Sequence, residues 1–236
     1  SLIAKLSSKR SSEQAKIFRA KLDRIGRKKA ELKNETETLK LKSLLEKETF
    51  RVVSVAKNER RRKPQAPYTT SKLQQEAYNR LGFSASKTMW TAQTLYEGVE
   101  LGSEGSIGLI TYMRTDSVNI AEVARREAAR FVKERFGSDH LPKTPNFYRS
   151  KKGAQEAHEA IRPTSTYREP DQIKSFLSDD QYRLYDLIWR KFVASQMNPA
   201  VDLVTSIEIL AGSDCFFKAS GTRNLFPGFS AVFGDA

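Results

Sequence analysis

Two periods of hydrophobic patterning alternate along the chain, and the changes of period divide it. Phe18, Ala20 and Leu22 alternate with Arg19, Lys21 and Asp23 across residues 17 to 25, the period-two signature of a half-buried strand. Phe50 to Ala56 predicts a second strand, and Glu35 to Lys47 between them a short polar helix. From Ser71 the spacing becomes helical. Leu73, Ala77 and Leu81 recur every four residues, Gly82 breaks the run, and Met89, Ala92 and Tyr96 continue before Gly98, so a helical hairpin is expected. Leu109 to Arg114 predicts a strand. Ile120, Val123, Ala124, Ala128, Phe131 and Val132 form the apolar stripe of a helix stopped at Gly137. Ser178 to Met197 predicts a further helix with Tyr182, Tyr185, Ile188, Trp189 and Phe192 on its inner side. Beyond Pro199 period two returns: Leu203, Thr205, Ile207 and Ile209 alternate, Gly212 to Asp214 form a turn, and Phe217 and Ala219 lie on the return strand.

The fold class expected from this order is α+β. A mainly helical part, residues 67 to 198, is inserted into a β-rich domain made of residues 1 to 66 and the return part of 199 to 236, whose end begins the next domain. Lys57 to Pro67, KNERRRKPQAP, joins a charge cluster to two prolines and predicts a boundary or linker. The chain has 236 residues, room for two domains and for a core that needs no metal or crosslink. No apolar run approaches the roughly 20 residues of a membrane helix. Cys215 is the single cysteine, so no internal disulfide forms, and a reducing, cytoplasmic location is expected. A start at Ser1 and an abrupt stop at Ala236 suggest a piece of a longer protein.

Charge narrows the class of partner. Forty-one Lys and Arg against 28 Asp and Glu leave +13, a balance that suits a polyanion, because each neutralised phosphate releases counterions. The excess is uneven. Residues 1 to 66 carry 20 basic and 8 acidic side chains, the remainder 21 and 20. Charge therefore supports nucleic acid binding without locating a site, and a basic face that only solubilises stays open.

Two stretches carry chemistry. In GLITYMRTDS, Gly108 to Ser117, a strand would put Ile110, Tyr112 and Arg114 on one face, pointing a phenol and a guanidinium the same way. A tyrosine oxygen can attack a phosphodiester if charge growing on the phosphate is countered, and Arg offers a planar fork of donors for that task. In GAQEAHEAIRPT, a helix would line up Gln155, His158, Glu159 and Arg162 on one polar face ended by Pro163. His158 could orient or protonate a phosphate oxygen, with Glu159 and Arg162 as support or phosphate contacts. Ordinary packing of Tyr112 and ordinary exposure of His158 remain open on these patterns alone.

Three strings, PYTTSKLQQEA from Pro67, YEGVELGSEGSIGLITYMRTDS from Tyr96 and AQEAHEAIRPTS from Ala154, resemble the central motifs of the bacterial-type (type IA) DNA topoisomerases, in family order. Weaker similarity runs through LYDLIWRKFVASQMNPA from Leu184 and into the flanking β segments. The resemblance implies that Tyr112 is the nucleophile esterified to the 5' phosphate of the cut strand. Arg114 would position the scissile phosphate, His158 would contact DNA near the cut, and Asp116 would join the surrounding hydrogen bonds. Glu159 and Arg162 would support the site. Thr70, Ser71, Gln74, Gln75, Thr115 and Ser117 would lie on the strand-binding surface, with helix capping by Ser71 as the alternative. The implied fold is part of a toroid's arch, with a β-rich hinge that lets the helical part swing.

The same resemblance implies single-stranded and negatively supercoiled DNA as partners, a monomer without membrane attachment, and relaxation without ATP. Family members hold magnesium in an acidic Toprim domain, with a Glu and an Asp-x-Asp-x-Glu cluster. No such arrangement occurs here, so Mg2+ is expected in the full-length enzyme, bound by that domain, and no metal in this chain. Adjacent Asp179 and Asp180 suit a helix start, and no Cys or His cluster suits zinc. An enzyme fragment that binds DNA without relaxing it is the first reading. A basic module whose Tyr112 and Trp90 only pack or stack on bases is the second, and a structural domain the third.

Overall fold

The computed structural model describes residues 1–7, 17–149 and 158–234. Its first strand, β1 (Ile3–Leu6), pairs antiparallel with β2 (Phe18–Ile25), where Ala20 and Leu22 are buried between exposed Arg19 and Lys21 as period two requires. A tight turn leads to β3 (Lys28–Lys29), which pairs back onto β2. Helix α1 (Glu35–Leu45) starts where the Asn34 side chain accepts the Glu37 amide at 2.8 Å. Strand β4 (Phe50–Arg62) runs straight through the basic cluster, so Lys57 to Arg62 is a strand, and the chain divides into its two units between Arg61 and Arg62, inside the stretch read as a boundary or linker. Its residues from Arg51 onward are all exposed, which suits an extended edge as well as it suits a loop.

A second unit follows, Arg62–Ala200 together with the residues from Phe226 onward. Helix α2 (Thr70–Leu81) ends at Gly82, whose φ of 71° needs a residue without a Cβ. Helix α3 (Ala85–Glu97), the short β5 (Val99–Glu100) and β6 (Ser106–Ile107) pair, α4 (Glu122–Phe136) and α5 (Asp179–Ser195) complete it. Helix α5 opens with a capping box between Ser178 and Gln181, and Asp179 and Asp180 sit in its first turn beside the positive end of the dipole. Tyr185, Ile188, Trp189 and Phe192 of α5 are buried against Leu73 and Ala77 of α2, Ala92 and Leu95 of α3, and Ala128, Phe131 and Val132 of α4. The Trp189 and Phe131 rings meet edge-on at 5.5 Å. Val123, expected on the α4 stripe, faces out instead, because Ala124, Ala128 and Phe131 fill the contact row.

The first unit closes with β7 (Ala200–Ala211) and β8 (Cys215–Phe226), which give the sheet order β1-β2-β8-β7-β4. Its core is small: Ala20, Leu22, Leu45, Ile209, Ala211, Cys215 and Phe217, with Phe50 edge-on to Phe217 at 5.3 Å. Burial pushes the Cys215 thiol up to about 11, with Asp214 adding to the shift. Residues 228 to 233, expected to begin a further domain, pack in the helical unit, where Arg190 holds the Val232 carbonyl and Val232 is buried.

Two expected elements are absent from the described residues. Leu109 to Arg114 makes a single bridge, Ile110 to Pro163, and no ladder. His158 to Ala160 are not helical and Ile161 bridges Tyr68, so the helical face expected for residues 155 to 162 does not form there; Gln155 lies outside the described residues. Among the described residues no helix is long and apolar enough to cross a membrane.

Both tryptophans lie in the helical unit, one exposed (Trp90) and one buried (Trp189), so their fluorescence reports its unfolding. Phe192→Ala should lower the unfolding free energy of that unit by about 3–5 kcal/mol in urea titrations followed this way. A loss below about 1 kcal/mol would contradict the central place given to α5.

Candidate nucleic-acid cleavage site

Tyr112 sits in a segment with no ladder of its own, and threonines and backbone groups of two distant segments supply what is missing. On one side, the Thr111 amide donates to the Arg162 carbonyl at 2.9 Å, and the Thr111 hydroxyl donates to the Ala160 carbonyl at 2.7 Å while accepting the Arg162 amide at 3.0 Å. Thr164 adds its amide to the Leu109 carbonyl at 2.9 Å and its hydroxyl to the Gly108 carbonyl at 2.8 Å. On the other side the Thr70 amide donates to the Thr115 carbonyl at 2.9 Å. The Thr70 hydroxyl reaches the Met113 carbonyl at 2.8 Å and accepts the Thr115 amide at 2.8 Å. The two braces are themselves joined, because the Ile161 amide donates to the Tyr68 carbonyl at 2.9 Å. A third contact comes from α3: Leu109 donates to the Leu95 carbonyl at 2.7 Å, and a Cβ at Gly108 would lie 2.6 Å from the Tyr96 carbonyl. Only glycine admits that approach.

The backbone bends at Thr111, Met113 and Arg114, yet exposure alternates along the braced segment. Tyr112, Arg114 and Asp116 are exposed, while Met113, Thr115 and Ser117 are buried. The phenol and guanidinium therefore share one open row, as the sequence suggests, but Ile110 is not on it; at 1% exposure it belongs to the core. Tyr112 keeps 45% of its surface exposed, and its ring meets that of Tyr96 edge-on at 5.4 Å. No sequence pattern singled out Tyr96 for this contact, although it opens the same motif string.

Other expected residues divide into two groups. Thr115 and Ser117, expected at the strand-binding surface, turn inward, and their hydroxyls accept the amides of Ser117 (3.0 Å) and Asn119 (3.1 Å). Thr70 spends its hydroxyl on the 113–115 backbone. The helix cap falls at Thr69, so Ser71 is not the cap; it and Gln75 are exposed on the first turns of α2, and Gln74 is partly exposed. His158 is half-buried, two residues before Ala160, and two residues of chain span at most about 7 Å. Glu159 accepts the Ala121 amide at the start of α4 with one oxygen and pairs with Arg162 through the other at 2.7 Å. Arg162 is 8% exposed and also donates to the Pro163 carbonyl, so its guanidinium ties the brace together and does not reach outward to a phosphate. Among the described residues no group of His, Cys, Asp and Glu gathers as a metal site.

Tyr112 and Arg114 thus share one open row, and His158 lies two residues before the Ala160 carbonyl that accepts the Thr111 hydroxyl. Comparison with known proteins gives the family. A family described as DNA topoisomerase matches residues 4–236. The DNA topoisomerase 1 of two Xylella fastidiosa strains, Temecula1 and 9a5c, is 50% identical over 185 residues, which is 78% of this chain and 23% of each relative. The full-length topoisomerase I of Thermotoga maritima superposes with a TM-score of 0.76 at 36% identity, covering 92% of this chain and 34% of that one. The chain belongs to the bacterial-type, type IA DNA topoisomerase family, and it spans about a quarter of the length of the curated relatives it matches.

Thr70→Val would leave the Thr115 amide and the Met113 carbonyl without a partner. The helical unit should lose about 1–3 kcal/mol of stability by denaturant titration. Thr70→Ser, which keeps the hydroxyl, should restore most of that loss. Equal stability of the Val and Thr forms would contradict the bracing role.

Proposed function

We propose that this chain carries the strand-cutting tyrosine of a type IA DNA topoisomerase. The double brace that fixes Thr111 and Met113 on either side of Tyr112 supports this reading most directly. A residue that merely packed would not need its backbone fixed from two distant segments while its phenol stayed exposed. In the reaction the Tyr112 oxygen attacks a phosphodiester phosphorus, forming a Tyr–O–P ester to the 5' phosphate. The bond to the 3' oxygen breaks, and that oxygen leaves as a hydroxyl once a proton reaches it; the phenol gives up its own proton. Reversal of the step reseals the strand, and since the ester conserves the bond energy, no ATP is needed.

Arg114 counters the negative charge that builds on the non-bridging oxygens, and His158 contacts the strand beside the cut. Asp116 holds the exposed row in place, and Ser71, Gln74 and Gln75 on α2 face the incoming strand. Glu159 and Arg162 act by keeping the brace in register. Magnesium comes with the family resemblance, but the described residues offer no donor set for it, so no step of this scheme uses it; it would be held elsewhere in the longer protein. The β-rich unit serves as the hinge, the substrate is single-stranded or negatively supercoiled DNA, and strand passage relaxes the supercoils in the cytoplasm. By itself the chain should bind DNA, more weakly at high salt, and relax none of it.

In the full-length protein with magnesium, Tyr112→Phe should abolish denaturant-stable DNA capture and leave noncovalent binding within about twofold, since one oxygen and little surface are removed. Arg114→Ala should slow cleavage about a hundred- to a thousandfold, the range for loss of one charge-stabilising donor. A covalent adduct formed by the Phe variant would overturn the assignment of nucleophile.

A further inference from the structure

One exposed aromatic of the helical unit is held out rather than left loose. Asn146 donates its side-chain amide to the carbonyls of Ser195 (3.0 Å) and Met197 (2.9 Å), and Tyr148 donates its hydroxyl to the Ser195 carbonyl (2.8 Å). Both residues are thereby pinned to the end of α5, and burial pushes the Tyr148 phenol pKa up. Phe147 lies between these two partly buried residues and is itself exposed. It is 69% exposed, and the Arg125 guanidinium of α4 lies 4.7 Å from its ring centroid. One face of the ring is covered by a cation and most of the rest is open.

The surroundings match a single-stranded nucleic acid. A cavity of about 430 Å³ beside Phe147 is floored by Ala129, Leu141 and Pro145 and rimmed by Arg125, Arg126 and Lys143. Glu122 is the carboxylate on that rim, and Arg126 pairs with it. An apolar floor within a cationic rim suits a flat base attached to phosphates and suits a small bare anion poorly. A smaller cavity of about 240 Å³ shares Arg125 and Phe147 with it and begins at Val118, two residues past Asp116, where the exposed Tyr112 row ends. The chain from Tyr112 to Asn119 spans at most about 25 Å, so a strand lying on that row can continue to Phe147.

We infer that Phe147 and Arg125 form a base-stacking subsite for single-stranded DNA, with Arg126 and Lys143 meeting the backbone phosphates; this rests on the strand-binding reading above. A base slots onto the open face of Phe147. Because every base has a π-face, the subsite grips the strand without reading its sequence.

The test needs no cutting. With this 236-residue chain and an oligothymidylate of about ten nucleotides, fluorescence anisotropy at fixed salt should show Phe147→Ala binding about fivefold more weakly or worse. Phe147→Trp should restore the affinity and Phe147→Leu should not, since the ring rather than its bulk does the stacking. With an abasic oligonucleotide of the same length the wild type and the Ala variant should bind alike. Lys143→Gln should flatten the salt dependence by about one phosphate contact, whereas Phe147→Ala should leave the slope unchanged. Irradiation with iodouracil-bearing DNA should crosslink residue 147. Equal affinities of the Ala, Leu and wild-type chains, or a crosslink confined to other residues, would overturn the subsite. Phe147 is largely exposed, so these substitutions do not threaten folding. The outcome is read as affinity and crosslink position, so failure here leaves the Tyr112 assignment standing, and failure of covalent capture at Tyr112 leaves this subsite standing.

Discussion

The site depends on one constraint: a segment that carries an exposed tyrosine and has no neighbouring strand must still pair its backbone. A buried amide or carbonyl left without a partner costs about 1–3 kcal/mol, comparable with a large share of a domain's net stability. Here the partners come from Thr70 on one side and from residues 160 to 164 on the other, each more than forty residues away along the chain. Closing such loops is costly in entropy, and it is favourable only because the four long helices already bury a common core. The core thus brings the braces together, and the braces fix Tyr112. In the proposed function, a phenol held this way reaches a phosphate without first having to be ordered, which is the physical content of positioning in catalysis.

The polar residues of the three motifs consequently do two different jobs, and exposure separates them. Tyr112, Arg114 and Asp116 lie open, where a substrate can meet them, whereas Thr70, Thr111, Thr115 and Ser117 satisfy backbone groups. Arg162 shows the distinction most sharply. Its charge suggests a phosphate contact, yet it is buried against Glu159, which in turn holds the Ala121 amide just before α4. Removing one partner of such a pair strands a buried charge, so both residues serve the geometry of the site and not its ligand.

Much of this was legible in the sequence, for reasons that also explain what was not. The long helices announce themselves because Leu73, Ala77, Ala128, Ile188 and Phe192 keep a 3.6-residue period over many turns. The strand pattern read over Leu109 to Arg114 placed Tyr112 and Arg114 on one row, where exposure does alternate, but it also put the buried Ile110 there. It could not tell a ladder from a segment braced by threonine hydroxyls, since both alternate equally. EAHEAIR has helix-forming composition, but Ile161 and Pro163 are drawn into bridges with Tyr68 and Ile110, a tertiary demand that local propensity does not register. The inward turn of Thr115 and Ser117 was invisible for the same reason, because polar side chains look alike in sequence whether they face DNA or the backbone. Phe147 carried no pattern; only the anchoring of its two neighbours shows why it faces out.

The central claim is that these braces form one cooperative unit around Tyr112. Residue-resolved amide hydrogen exchange on the chain tests it directly, because a brace that forms and breaks as a unit protects all its amides alike. The amides of Thr70, Thr111, Thr115, Ile161 and Thr164 should exchange with a common free energy, close to that of the buried turns of α5. Fast exchange at Thr111 or Thr115 while α5 stayed protected would show that the segment carrying Tyr112 is not held by its neighbours, and would contradict the account.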